Sequence, residues 1–318
     1  MNRQKILITD SLFIHKKHER IINKAGFDIE RIDNPNLSEK DLCSAIKGKT
    51  GYILGGIEKV TERVIKSADK LKAISFTGSG YKEFITGYEA ATDKGILISN
   101  CPGGNADAVA EYTLSLMLMM NREVLSLGRT GSKSFKTTKS IKNKTIGIIG
   151  LGRIGILVCK YLKSLGVKDI LYYSRNRKFF LESGLGIEFV SKLDLMNRAD
   201  IISLHFSNEV GEKFINKNDL QLMHKDAILI NAAFPEAVDL KEMYKLLKDE
   251  KIFAAFDKAP DGKIPNFPAN RFFYSNSQTG FNTQEAIDTV SNMTTQSIIN
   301  LLLKKDDAFC INKGCEKE

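Results

Sequence analysis

Short apolar runs bounded by Gly, Asn, Asp or Ser alternate along the chain with amphipathic segments of helix length. Continuous apolar runs predict strands buried on both faces, and their alternation with helices predicts βαβ units and parallel sheets. In the first third the pattern predicts strands at Lys5–Thr9, Phe27–Ile32, Gly51–Leu54, Ala73–Phe76 and Ile96–Ser99, enough for one small sheet. A second series follows at Thr145–Ile149, Ile170–Tyr173, Ile201–Leu204, Ala227–Asn231, Ile252–Phe256 and Phe272–Ser275. Those six strands make a second, complete doubly wound sheet.

Between the two series, Ala106–Arg122 is apolar on nearly every side. Such a helix is expected to be buried, between domains or against a second subunit. Near the far end, Asn282-Thr-Gln-Glu285 has the spacing of a capping box and opens an amphipathic helix through Ile287, Val290, Met293, Ile298, Leu301 and Leu302. The polar tail after Lys304 is expected to fray, and Cys310-x4-Cys315 within it is read as incidental rather than as a metal site.

Composition narrows the class. With 318 residues, 42% hydrophobic and 27% charged, the chain is a folded protein with room for two domains, neither disordered nor low-complexity. No run approaches a bilayer span, and Met1-Asn-Arg-Gln4 leads into a strand rather than a secretory signal. A cytoplasmic protein without a membrane partner is expected. Five scattered cysteines argue for reduced thiols rather than a disulfide framework. The net charge of +9 has no local focus suited to nucleic acid, because the densest run, Lys133 to Lys144, carries no aromatic residue beyond Phe135. A small-molecule substrate is expected instead. The four histidines, His15, His18, His205 and His224, leave none beyond position 224.

The strongest motif is Gly150-Leu-Gly152-Arg153-Ile154-Gly155, which follows a predicted strand and opens a helix. In that setting Gly150 allows the tight turn, Gly152 admits a pyrophosphate to the backbone, and Gly155 lets helix and strand pack closely. The helix N-terminus adds N–H donors and partial positive charge. A ligand-free glycine turn is the competing reading. Where an NAD site places a carboxylate at the end of the next strand, this chain reads Tyr173-Ser174-Arg175-Asn176-Arg177. Two guanidinium groups suit a 2′-phosphate, so NADP(H) is expected over NAD(H). The alternative is that both arginines are solvated loop charges.

With these features the chain resembles the D-isomer-specific 2-hydroxyacid dehydrogenases. Thr77-Gly-Ser-Gly80, Ala90-Ala-Thr-Asp-Lys-Gly-Ile96, Asn100-Cys-Pro-Gly-Gly-Asn105, Ala108-Val-Ala-Glu111, the glycine motif, Asp200-Ile-Ile-Ser-Leu-His205 and Thr283-Gln-Glu-Ala286 carry the likeness. It implies two doubly wound α/β domains: a Rossmann dinucleotide-binding domain, 101–283, inserted into a flavodoxin-like substrate domain, 1–100 and 284–318. It also implies a homodimer built around Ala106–Arg122, and a loop in which Gly78, Ser79 and Gly80 offer backbone N–H groups to a substrate carboxylate. The implied cofactor contacts include Ser174, His205, Ala233 and Asp257, the last at the position that meets the nicotinamide carboxamide. For His205, structural packing is the alternative.

The resemblance also implies an Arg, Glu and His catalytic set, and here the chain departs from it. The arginine of an Asn-x-x-Arg-Gly pattern is replaced in Asn231-Ala-Ala-Phe234-Pro235 by Phe234. Counting back from Thr283 puts Gln278 at the histidine position, and counting on from Asp257 puts Gly262, beside Asp261, at the glutamate position. Gln cannot exchange a proton at neutral pH, and a general acid is worth roughly 10²–10⁴ in rate. Two readings follow. One is an NADP(H)-dependent oxidoreductase with an atypical substrate or proton donor, for which Tyr81, a buried Lys82 and a hydrogen-bonding Gln278 are the candidates, with Phe234 making the pocket more apolar. A solvent-facing Lys82 is the alternative there. The other is a catalytically silent dinucleotide-binding sensor or scaffold.

Overall fold

The computed structural model describes residues 3–9, 12–34, 37–129, 137–267, 271–276 and 280–315, the side chains at 126, 128, 129 and 208 apart. The chain divides into two compact units, one formed by 1–105 with 283–318 and the other by 106–282.

The first unit is built on β1 (Lys5–Thr9), β2 (Asp28–Ile32), β3 (Gly51–Leu54), β4 (Ala73–Phe76) and β5 (Leu97–Ser99), all parallel in the order β2-β1-β3-β4-β5. The three strands β3, β4 and β5 are buried at every residue, including Ser75 and Ser99, whose hydroxyls donate to the Thr294 carbonyl and to Ser75 Oγ respectively. The helix Gln284–Leu302 returns from the far end of the chain to lie on β3, β4 and β5. Gly51 permits this approach: a Cβ there would stand 2.9 Å from Leu302 Cδ1 and 3.0 Å from Ile6 Cγ1. The helix is capped one residue later than the capping-box spacing suggests, because Thr283 Oγ1 accepts from the Ala286 amide at 3.2 Å.

The tail does not fray over its described length. Asp307 is buried and accepts from Ser297, Asn300 and the Phe309 amide. Cys310 forms an antiparallel bridge to Ser99, and the Asn312 amide holds the Ile98 N–H, the Ile96 carbonyl and Thr92. Polar residues are used here to cover the open edge of β5.

The second unit contains β6 (Ile146–Ile149), β7 (Ile170–Tyr173), β8 (Glu188–Phe189), β9 (Ile201–Leu204), β10 (Ala227–Asn231), β11 (Ile252–Phe256) and β12 (Phe272–Tyr274). They form one parallel sheet in the order β12-β11-β10-β9-β6-β7-β8. Seven strands replace the six expected, because β8 is a two-residue edge strand too short to leave a hydrophobic period. Alternate residues of the strands feed two apolar cores, Ile149, Leu204 and Phe256 on one face and Ile148, Tyr172 and Ile230 on the other.

The helix Ala106–Asn121 packs within this unit against the helix Arg153–Ser164 and against β10 and β11. It is not apolar all round. Asp107, Glu111 and Ser115 are exposed at four-residue spacing and form a narrow polar stripe. Among the described residues no helix is long and apolar enough to cross a membrane, and no group of His, Cys, Asp and Glu side chains is placed to hold a metal ion.

Candidate functional site

Three glycines after β6 shape the turn by different means. Gly150 adopts φ +99°, and a side chain there would collide with the His205 carbonyl. A Cβ on Gly155 would collide with the Gly150 carbonyl, so the first turn of the following helix can dock only with glycine at that position. Gly152 is the opposite case, with nothing within 4 Å of its would-be Cβ. It caps the helix Arg153–Ser164 without a side-chain hydrogen bond, and so leaves first-turn N–H groups unspent beside open space. Ile154 is half-buried and packs against the core, which fixes the helix start. The geometry fits a dinucleotide pyrophosphate.

The Gly150 amide donates to the Tyr173 carbonyl at 2.8 Å, which brings the end of β7 beside the turn. Ser174 Oγ donates to the Asn176 carbonyl at 2.6 Å and tightens the loop. Arg177 departs from expectation. Its Nε and Nη2 donate to the two Glu182 oxygens at 2.9 and 2.8 Å, and the guanidinium lies 4.5 Å from the Phe179 ring centroid. Hydrogen bonding to Arg177 holds the Glu182 carboxyl below its usual range, and Glu182 raises the arginine in turn. A guanidinium already committed to a carboxylate is poorly placed to serve as a free phosphate ligand. Arg175 and Arg153, by contrast, are exposed and bond to none of the described residues.

At the end of β9, His205 Nε2 shares a hydrogen bond with Ser203 Oγ at 2.8 Å, while its buried Nδ1 has no partner among the described residues. Burial pushes the imidazole down to about 3, so it is neutral at physiological pH. The residue that follows it, Phe206, stacks edge-on against Phe214 at 5.1 Å and Phe234 at 6.1 Å. Position 234 is set by the end of β10: Asn231 Oδ1 accepts from the Ala233 amide and Nδ2 donates to the Phe234 carbonyl, at 2.9 and 3.0 Å. Phe234 is extended, as a residue before proline must be. Asp257 N donates to the Asn231 carbonyl at 2.9 Å, and Asp257 Oδ1 accepts from the Gly280 amide at 3.0 Å. Gly262 takes φ +83° and Asp261 beside it is exposed. Gln278 falls in 277–279, outside the described residues.

In the first unit, the loop after β4 presents a set of unspent amides. The Gly78 carbonyl accepts from the Cys101 amide at 2.8 Å and the Ser79 carbonyl from Asn100 Nδ2 at 2.9 Å. Ser79 Oγ donates to the Cys101 carbonyl at 3.0 Å. The amides of Gly78, Ser79 and Gly80 donate to none of the described residues. With the Gly78 and Ser79 carbonyls tied back and N–H groups left over, the loop is chemically suited to an anion. Tyr81 is half-buried, its ring 5.6 Å from that of Tyr88. Lys82 is exposed, not buried as a desolvated proton donor would have to be.

The structure therefore groups the sequence-derived residues into three clusters, around the glycine turn, around Asn231 and Asp257, and along the Gly78–Gly80 loop. Glu182, Ser203 and Phe206 escape sequence reasoning. Ser203 is legible in principle, since a residue two before His205 on a strand shares its face. Glu182 is not, because its pairing crosses a loop.

A sequence profile described as "D-isomer specific 2-hydroxyacid dehydrogenase, NAD binding domain" matches residues 114–271. A D-3-phosphoglycerate dehydrogenase of Methanocaldococcus jannaschii is 34% identical over 310 residues, covering 94% of this chain and 57% of that protein. The chain thus spans little more than half the length of that relative. A glyoxylate reductase of Thermofilum pendens is 34% identical over 250 residues, 74% of this chain and 72% of the reductase. Among solved structures, the TT0316 protein of Thermus thermophilus superposes with a TM-score of 0.85 at 24% identity, covering 97% of this chain and all of that one.

Proposed function

Because the chain belongs to the D-isomer-specific 2-hydroxyacid dehydrogenase family, we propose that it is an NADP(H)-preferring oxidoreductase that reduces a carboxylate-bearing substrate with an altered catalytic set. The observation that carries the reading is the open Gly152 turn with two exposed guanidinium groups, Arg153 and Arg175, that pair with none of the described residues. Residues 153–155 and the helix they open hold the pyrophosphate, Arg175 meets the 2′-phosphate, and Asp257 and Ala233 meet the nicotinamide end. When bound, the nicotinamide supplies the hydride.

The three unspent amides of Gly78, Ser79 and Gly80 hold the substrate carboxylate. Phe234 brings an apolar ring where the family pattern has a guanidinium. Loss of one such charged donor costs roughly 10²–10³ in rate, so this chain needs a substrate whose reacting carbon is already electrophilic, such as an activated ketone or an imine. Gln278 orients the reacting group without moving a proton. His205, neutral with a pKa of about 3, is no general acid at pH 7 and offers a hydrogen-bonding Nδ1 instead. The proton comes from Tyr81, half-buried at the end of the carboxylate loop.

NADPH and NADH titrations followed by nucleotide fluorescence test the cofactor assignment. Arg175→Ala is expected to weaken NADPH about tenfold or more with little change for NADH, and equal losses for both would sink it. Turnover is tested with 2-oxo acids, aldehydes and imines. Phe234 favours a second reading, a silent nucleotide-binding protein, and tight NADPH binding without oxidation by any of these substrates would establish it instead.

A further inference from the structure

We propose that Glu58 is a second recognition point for the substrate, accepting a hydrogen bond from a cationic nitrogen, ammonium or guanidinium, at the end remote from the carboxylate. This rests on the carboxylate-bearing substrate proposed above. The argument begins with topology. In the order β2-β1-β3-β4-β5 the chain leaves β1 for β2 on one side and returns to β3 on the other. In open parallel sheets, ligands bind in the crevice at the carboxyl ends of the two strands where the order reverses.

The chain has buried a carboxyl group at that point. Thr9 is the last residue of β1, Tyr52 lies in β3, and Glu58 follows β3 by four residues. Tyr52 Oη donates to Glu58 Oε1 at 2.8 Å and lies 3.0 Å from Thr9 Oγ1, which also donates to Oε1. Glu58 is 6% exposed, and its second oxygen, Oε2, is buried without a partner among the described residues. No described cation pairs with it. Lys59 beside it turns away to the Glu83 carbonyl and the Phe84 ring. Buried carboxylates are ordinarily paired, so a group fixed by two hydroxyls and given no counter-charge is a site prepared for one.

The neighbouring backbone is shaped around it. Gly56 is half-exposed and lies against Oε2, where any side chain would collide with the carboxyl. The Thr77 amide and hydroxyl both donate to the Leu54 carbonyl, at 3.0 and 3.2 Å, and so tie the end of β4 to the end of β3. The Gly78–Gly80 amides therefore start one residue beyond that tie, on the same sheet edge as Glu58. Because β3 and β4 are neighbouring strands, about 4.8 Å apart, a molecule with an anion at one end and a cation at the other is the chemistry these two points would select together.

The test compares 5-guanidino-2-oxopentanoate, the apolar 2-oxooctanoate and the dianionic 2-oxoadipate in NADPH oxidation. Wild-type protein is expected to show a KM for the guanidino acid about tenfold or more below that for 2-oxooctanoate. Glu58→Gln should bring that ratio close to one. Gly56→Ala, which leaves the carboxyl chemically intact but displaces it, should do the same and guards against a misfolded glutamine variant. A wild-type ratio near one, a ratio that survives both substitutions, or a preference for 2-oxoadipate overturns the proposal. If no 2-oxo acid is reduced, the proposed reaction fails first, and calorimetric titration with the same acids decides the site. Binding of the guanidino acid that both variants abolish upholds it, and absence of selective binding in wild type overturns it.

Discussion

His205 shows how burial sets the chemistry of one side chain. Its ring spends Nε2 on Ser203, keeps Nδ1 unpaired among the described residues, and is held neutral with a pKa of about 3 instead of 6.5. The unfolded chain takes up a proton below pH 6.5 that the folded chain refuses. The stability this group contributes is therefore complete above pH 6.5 and declines as pH falls towards 3, by at most about 1.4 kcal/mol per pH unit. Urea unfolding at pH 7.5 and 5 is expected to show that decline, and His205→Gln to flatten it; an unchanged slope in the variant would refute the burial account. Arg175 and Arg177 mark the limit of reading side chains in sequence. Both stand in the same five-residue stretch, yet one bonds to none of the described residues and the other is locked to Glu182 across a turn that no local pattern announces. Lys82 takes the solvent-facing alternative, a choice the sequence leaves open because exposure depends on how a short helix seats on its sheet.

At the scale of elements, the glycine turn separates function from folding. Gly155→Ala drives a methyl into the Gly150 carbonyl and is expected to cost about 2 kcal/mol or more, seen as a lowered Tm. Gly152→Ala meets open space at an ordinary backbone angle, so Tm should hold while the NADPH Kd rises about tenfold. Matching losses of Tm in both variants would contradict the division of roles. The four-residue parallel strands are legible because burial on both faces leaves a largely apolar run, as in Ile146–Ile149 and in Ile201–Leu204, where Ser203 is the one polar residue. Strand β8 is not, since two residues carry no period. The order of the tail is equally hidden, because Asp307 and Asn312 are polar in composition but buried by partners that a local pattern does not reveal.

For the whole molecule, connectivity matters as much as contacts. Residues 106–282 form one continuous segment with apolar cores on both faces of its own sheet. Expressed alone, that segment is expected to unfold cooperatively and to bind NADPH as the full chain does; a molten or nucleotide-blind fragment would show that the unit is not autonomous. The first unit has no such independence. Gly51 and Ser75 lie beneath Leu302 and Thr294, supplied by a helix that comes after the whole of the second unit. On the ribosome, β3 and β4 emerge long before their cover does. At usual elongation rates the intervening segment takes roughly 10 to 35 s to synthesise, and for that interval an apolar sheet face waits bare for its last helix. The nascent chain is thus expected to lean on chaperones in inverse proportion to the speed of translation.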